Sequence, residues 1–207
     1  EEAFVFEMKT RPDAWVFERL FHVEDRERPG RLILMRQNAG QKLIAETIER
    51  ILRLNLQLQV DALLQGQPTY IDEKYLRAYI EKGTPVPPHM IGMRLLIGKS
   101  RRGGFSTFSV ATSLRRICTT PNYSCLLMAH ADDSAMDIWG IGLRMYENWP
   151  SEFIRCRPDY CNNSQDYFEL DGLGSRIAIS TAGKNPESEA KRGWRFDFYH
   201  FSEYAHY

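Results

Sequence analysis

The sequence predicts an α/β fold, with a mostly parallel sheet covered by helices on both faces. Three observations carry that expectation. Short apolar runs at residues 93–97, 125–128 and 195–201 have the length and content of buried strands. Stretches with apolar residues at helical spacing lie between them. The run at 93–97 also leads through a basic, Gly-containing turn straight into a helical stretch at 106–117.

Taken in order, residues 1–30 hold a helix over 13–21 and then a charged loop, 24–30, that ends in Pro and Gly. A short strand is expected at 31–35. Asn38 can cap a helix that begins near Gln41, with Ile44, Ile48, Ile51 and Leu52 at helical spacing. Between Leu52 and Val60 the leucines alternate with Arg53, Asn55, Gln57 and Gln59, which is strand periodicity. Leu and Gln are also good helix formers, so both readings stand and continued helix is preferred. A second helix covers 72–80. Prolines 85, 87 and 88 break the chain after it. Helix 106–117, strand 125–128 and a helix from Asp132 or Asp133 to about Tyr146 follow, and Pro150 ends the last of these. Strands at Tyr167–Leu170 and 176–180 flank a hairpin turn at 171–174, and the final strand is 195–201. No internal repeat or low-complexity tract is visible.

A chain of 207 residues suffices for one sizeable α/β core, and its 43% hydrophobic and 26% charged content is ordinary for a soluble globular protein. The formal net charge is zero, which excludes a globally basic nucleic-acid binder. Any DNA contact is expected from local patches: Arg101 with Arg102, Arg115 with Arg116, or Lys191 with Arg192. Cysteines 118, 125, 156 and 161 show neither Cys-x-x-Cys nor structural-zinc spacing and read as reduced thiols. No apolar run is long enough to cross a membrane, and the acidic start (Glu1, Glu2, Glu7) is no secretory signal. A soluble intracellular protein is expected.

The chemistry begins after the 93–97 strand. Gly98 opens a turn containing Lys99, Arg101, Arg102, Gly103 and Gly104, and Phe105, Ser106 and Thr107 then start a helix. Backbone N–H groups at such a helix start carry partial positive charge and bind phosphate oxygens. Gly103 and Gly104 permit a tight turn and a close approach to the ligand. The hydroxyl of Ser106 or Thr107 can serve a magnesium ion. In the common phosphate-loop pattern, Gly-x-x-x-x-Gly-Lys-Ser/Thr, Gly104 and Ser106 fit. Lys99 instead stands at the first glycine and Phe105 at the lysine. Lys99 can reach the same phosphates from the other side, and Arg102 adds a forked cation. A basic surface turn between a strand and a helix would look similar, so a second site is needed. Strand 195–201 supplies it, because it ends in Ser202-Glu203. Phosphoryl-transfer ATPases place a carboxylate there to serve magnesium or the attacking water. Ser202 takes the usual Asp position, and Glu203 is the candidate base or water-orienting group. Upstream, Gln41 of Asn38-Ala39-Gly40-Gln41 carries an amide that can read an adenine edge.

This order resembles the ATPase domain of the large terminase subunits of tailed bacteriophages. The run from Lys99 to Ser106 is similar to that family's deviant phosphate loop, in a form with Lys first and Arg fourth. Leu127-Met128-Ala129-His130, Gly174-Ser175-Arg176 with Thr181-Ala182, and His200-Phe201-Ser202-Glu203-Tyr204-Ala205 resemble its following strands and acidic motif. The likeness covers about residues 30–207. It implies a P-loop NTPase fold of the ASCE type, with residues 1–30 as an N-terminal segment and 31–207 as the ATPase domain. The long separation between Gln41 and Lys99 makes part of 55–89 read as an insertion. The resemblance further implies ATP and Mg2+ as cofactors. Gln41, Lys99, Arg102, Gly103, Gly104, Phe105, Ser106 and Thr107 would line the nucleotide, Ser106 and Ser202 would serve the metal, and Glu203 and Arg102 would serve catalysis. Implied partners are double-stranded DNA, a portal protein, a small terminase subunit and further copies of the chain in a ring, in the host cytoplasm. The chain ends four residues after Glu203, so the family's coupling motif, lid and nuclease domain are expected outside it. A helicase-like ATPase would share the glutamine and the acidic strand but would usually keep Lys at 105 and Asp at 202. A nucleotide-binding module without turnover is the other alternative.

Three further signals are set aside. His22, His89, His130, His200 and His206 are scattered, and Trp139, Trp149 and Trp194 read as packing residues. Asp132 and Asp133 could mimic a magnesium pair but are more simply helix caps.

Overall fold

The computed structural model describes residues 2–11, 13–24, 28, 30–97, 104–164, 167–181 and 195–202. The chain divides into two compact units, Glu1–Asn38 with Gly104–Tyr207, and Ala39–Gly103.

The first unit opens with helices α1 (Glu2–Thr10) and α2 (Asp13–Leu20). Val16, Phe17 and Leu20 of α2 are fully buried, as expected for the apolar stripe of a surface helix. Strands β1 (His22–Glu24) and β2 (Leu32–Leu34) pair antiparallel, with His22 opposite Leu34. The Met35 N–H donates to Phe21 O at 2.7 Å and ties this hairpin to the end of α2. Helix α1 and strand β1 had no sequence signal, because both are short and irregular in pattern.

The second unit is helical. Helix α3 (Ala39–Leu64) runs for 26 residues and settles the ambiguous leucine alternation as helix. Leu52, Leu56, Val60 and Leu63 recur at helical spacing and line one side of a core with Ile71, Leu76, Val86 and Ile91. That stripe has a partner surface, and a β-ladder over the same residues would have none. Helix α4 (Glu73–Lys82) is capped at both ends. Asp72 accepts from the Lys74 N–H at 2.9 Å, and Gly83 takes the left-handed conformation at φ 66° that closes the C-terminus. Helix α5 (Pro88–Ile91) is one turn long. The expected strand at 93–97 is a correction: these residues form no ladder among the described residues. Leu96 is 82% exposed. An apolar run becomes a strand only beside another strand, and no described strand pairs with this one.

The remaining elements of the first unit are α6 (Phe105–Thr119), β3 (Ser124–Ala129), α7 (Asp132–Glu147), a 3-10 turn (Ser151–Cys156), β4 (Tyr160–Asn163), β5 (Tyr167–Leu170), β6 (Arg176–Thr181) and β7 (Phe198–Phe201). The strands form a five-stranded sheet in the order β4-β5-β6-β3-β7. Strand β3 lies parallel to both β6 and β7, while β5 and β4 add antiparallel beyond β6. The fold is therefore α/β, but the sheet is mixed, with a parallel core and an antiparallel flank. The hairpin turn at 171–174 explains the flank: Gly172 and Gly174 adopt positive φ, and so short a turn can join only antiparallel strands. Strand β3 is buried along nearly its whole length, as its continuous apolar run requires in a parallel core.

Helices α6 and α7 pack against β3, β6 and each other. A Cβ on Gly142 of α7 would lie 2.9 Å from the Trp139 ring and 3.1 Å from Val110 Cγ1 of α6. Trp139 and Trp149 are buried, in keeping with packing roles, and Trp194 lies outside the described residues. Arg115 of α6 is buried at 4% exposure. Its guanidinium donates to Met8 O at 2.8 Å and to the Lys9 and Arg11 carbonyls, closing the C-terminal end of α1.

Candidate functional site

The described part of the predicted phosphate loop is the start of α6. Gly104 holds the N-cap position at φ 74° and ψ 16°, in the left-handed region that favours glycine. Gly104 has no side chain to cap this end, and no side-chain cap bond forms there among the described residues. A helix start of this kind suits a phosphate. Phe105, Ser106 and Thr107 form the first turn and are half-buried. Lys99, Arg102 and Gly103 lie outside the described residues.

Topology sets where that turn points. Helix α6 spans 15 residues, about 22 Å. Strand β3 spans 6 residues, about 20 Å. Residues 120–123 join them, so the helix runs back alongside the strand and its N-terminus lies near the carboxyl end of β3. Ligands of open α/β sheets bind at that edge.

Strand β7 ends at the same edge. Phe201 pairs with Met128, and the Ser202 N–H then donates to Met128 O at 2.8 Å. Ser202 is therefore fixed by the parallel ladder directly after the strand and is only 8% exposed. Glu203 lies outside the described residues.

The same edge carries a pair that the sequence reading set aside. Asp132 and Asp133 do not cap α7. Ala131 is the N-cap, without a side-chain cap bond, and both aspartates fall in the first turn. Asp132 Oδ1 instead accepts from Thr181 Oγ1 at 2.6 Å. Thr181 is the last residue of β6 and pairs with Ala129, the last residue of β3. The hydrogen bond therefore links two adjacent strand exits. The spacing of one residue from a cap position hid it, since both roles place an Asp at a helix start. Half-buried His130 follows β3 at this edge.

Other family-like residues fall elsewhere. Ser175 is fully buried. Its hydroxyl accepts from the Tyr123 N–H at 3.0 Å and donates to Thr120 O at 2.6 Å. Arg176 Nε donates to Ser124 Oγ at 3.2 Å, and Asp197 Oδ2 accepts from the Ser124 N–H at 2.9 Å. These contacts knit the amino ends of β3, β6 and β7, away from the edge where α6 begins. The Gly174-Ser175-Arg176 segment is thus a structural joint. Gln41 is buried at 4% exposure, at the third position of α3 in the second unit.

Among the described residues no group of three or more His, Cys, Asp or Glu side chains is placed to hold a metal ion. No helix among them is long and apolar enough to cross a membrane. The first turn of α6, with its glycine start and two hydroxyls, would suit the phosphate end of a nucleotide; a magnesium ion there would rely on Ser106 and on oxygens of the nucleotide. Comparison with known proteins returns neither a matching family model nor a matching curated protein.

Proposed function

We propose that this chain is the ATPase domain of a phage-type DNA-packaging motor, a P-loop NTPase that couples ATP hydrolysis to movement of double-stranded DNA into a procapsid. One observation carries the reading: a glycine-started helix with Ser106 and Thr107 in its first turn shares a sheet edge with Ser202, the residue before Glu203.

On this reading the backbone of Gly103 and Gly104 and the first turn of α6, from Phe105 to Thr107, cradle the β- and γ-phosphates. Lys99 and Arg102 neutralise charge that Phe105 cannot, and Arg102 continues to do so as charge develops in the transition state. Ser106 holds magnesium and Ser202 supports its water shell. The ion, when bound, spreads the charge of the phosphate oxygens. Glu203 orients or deprotonates the attacking water, and Gln41 reads the adenine. In the assembled motor the chain works as a ring in the host cytoplasm, with DNA, portal protein and small terminase subunit as partners. Phe105 and Ser202 stand where Lys and Asp are usual, which favours a nucleotide-binding module without turnover as the second reading.

ATP hydrolysis measured with and without duplex DNA separates the readings. Magnesium-dependent turnover raised by duplex DNA is expected for the motor. ATP binding without turnover under either condition selects the second reading. Absence of ATP binding overturns both.

A further inference from the structure

We draw no further inference here: the strongest candidate, the Asp132–Thr181 side-chain pair beside His130 at the carboxyl edge of the sheet, belongs to the site already described and rests on a helix N-terminus with no second observation that points to a ligand.

Discussion

Glu203 is the residue on which the proposed chemistry turns. A group that orients or deprotonates water acts in the transition state and contributes little to ground-state binding. Glu203→Gln keeps size and hydrogen bonding but removes the base. ATP affinity is expected to stay near wild type while hydrolysis falls by roughly two orders of magnitude or more. The comparison needs a form of the protein that turns over, and an unchanged rate would move the catalytic carboxylate elsewhere. Arg115 shows a different use of a charged residue. Buried against the carbonyls of Met8, Lys9 and Arg11, it donates to acceptors at the C-terminal end of α1. Arg115→Ala removes charge-assisted hydrogen bonds and should cost about 2–3 kcal/mol of stability, read from denaturant unfolding. Arg115→Lys should recover only part, because a single ammonium cannot reproduce the guanidinium fork. A wild-type midpoint for the alanine variant would show that α1 does not depend on this residue. Its burial at 4% exposure places Arg115 in the structure rather than in the local basic patch expected from Arg115-Arg116.

At the level of elements, the close approach of α6 and α7 is the packing that holds the candidate phosphate turn in place. Gly142 lies where any Cβ meets the Trp139 ring and Val110. Alanine usually stabilises a helix relative to glycine by about 1 kcal/mol. Overpacking a dense core costs about 1–3 kcal/mol. Since Trp139 is buried and has little room to shift, overpacking should win. Gly142→Ala is expected to lower the thermal midpoint; a raised midpoint would mean that the helices sit farther apart. Helix α3 teaches a related lesson about pattern. Its leucines alternate like a strand over residues 52–60, yet Leu52, Leu56, Val60 and Leu63 also form a helical stripe. The reading with a surface to bury against prevailed.

For the whole molecule, burial decides which thiols can react. Cys118 and Cys125 are buried, and desolvation pushes both thiols well above their ordinary range. A raised thiol pKa means less thiolate at neutral pH, and the thiolate is the nucleophile. Cys161 is exposed, although desolvation and the nearby Glu169 carboxylate raise its pKa as well. Alkylation at neutral pH followed by peptide mass mapping should therefore label Cys161 first, then half-buried Cys156. Cys118 and Cys125 should react only on unfolding, at a rate set by the opening of the α6–β3 core. Early labelling of Cys125 in native protein would show that β3 is not the buried centre of the sheet. Zero net charge at this scale also leaves the proposed DNA contact to local basic patches.

The sequence by itself determined the α/β class, helices α2, α4, α6 and α7, the β5–β6 hairpin, and a glycine-started helix whose first turn carries two hydroxyls. Each is written in short-range chemistry: apolar periodicity, caps, and the turn residues at 171–174. Tertiary structure decided what needs a partner distant in sequence. It made the sheet mixed by laying β5 antiparallel beside β6 and the unanticipated β4 antiparallel beside β5. It left residues 93–97 without a ladder, because their apolar content specifies burial but not a neighbour. It turned Asp132 from an expected cap into the acceptor of Thr181 Oγ1. It also sent Ser175 and Arg176 to the amino end of the sheet, while fixing Ser202 at the carboxyl end beside Met128. A residue's type limits what its side chain can bond. Which end of the sheet it occupies follows from strand direction and order, and those are properties of chain pairing rather than of local sequence.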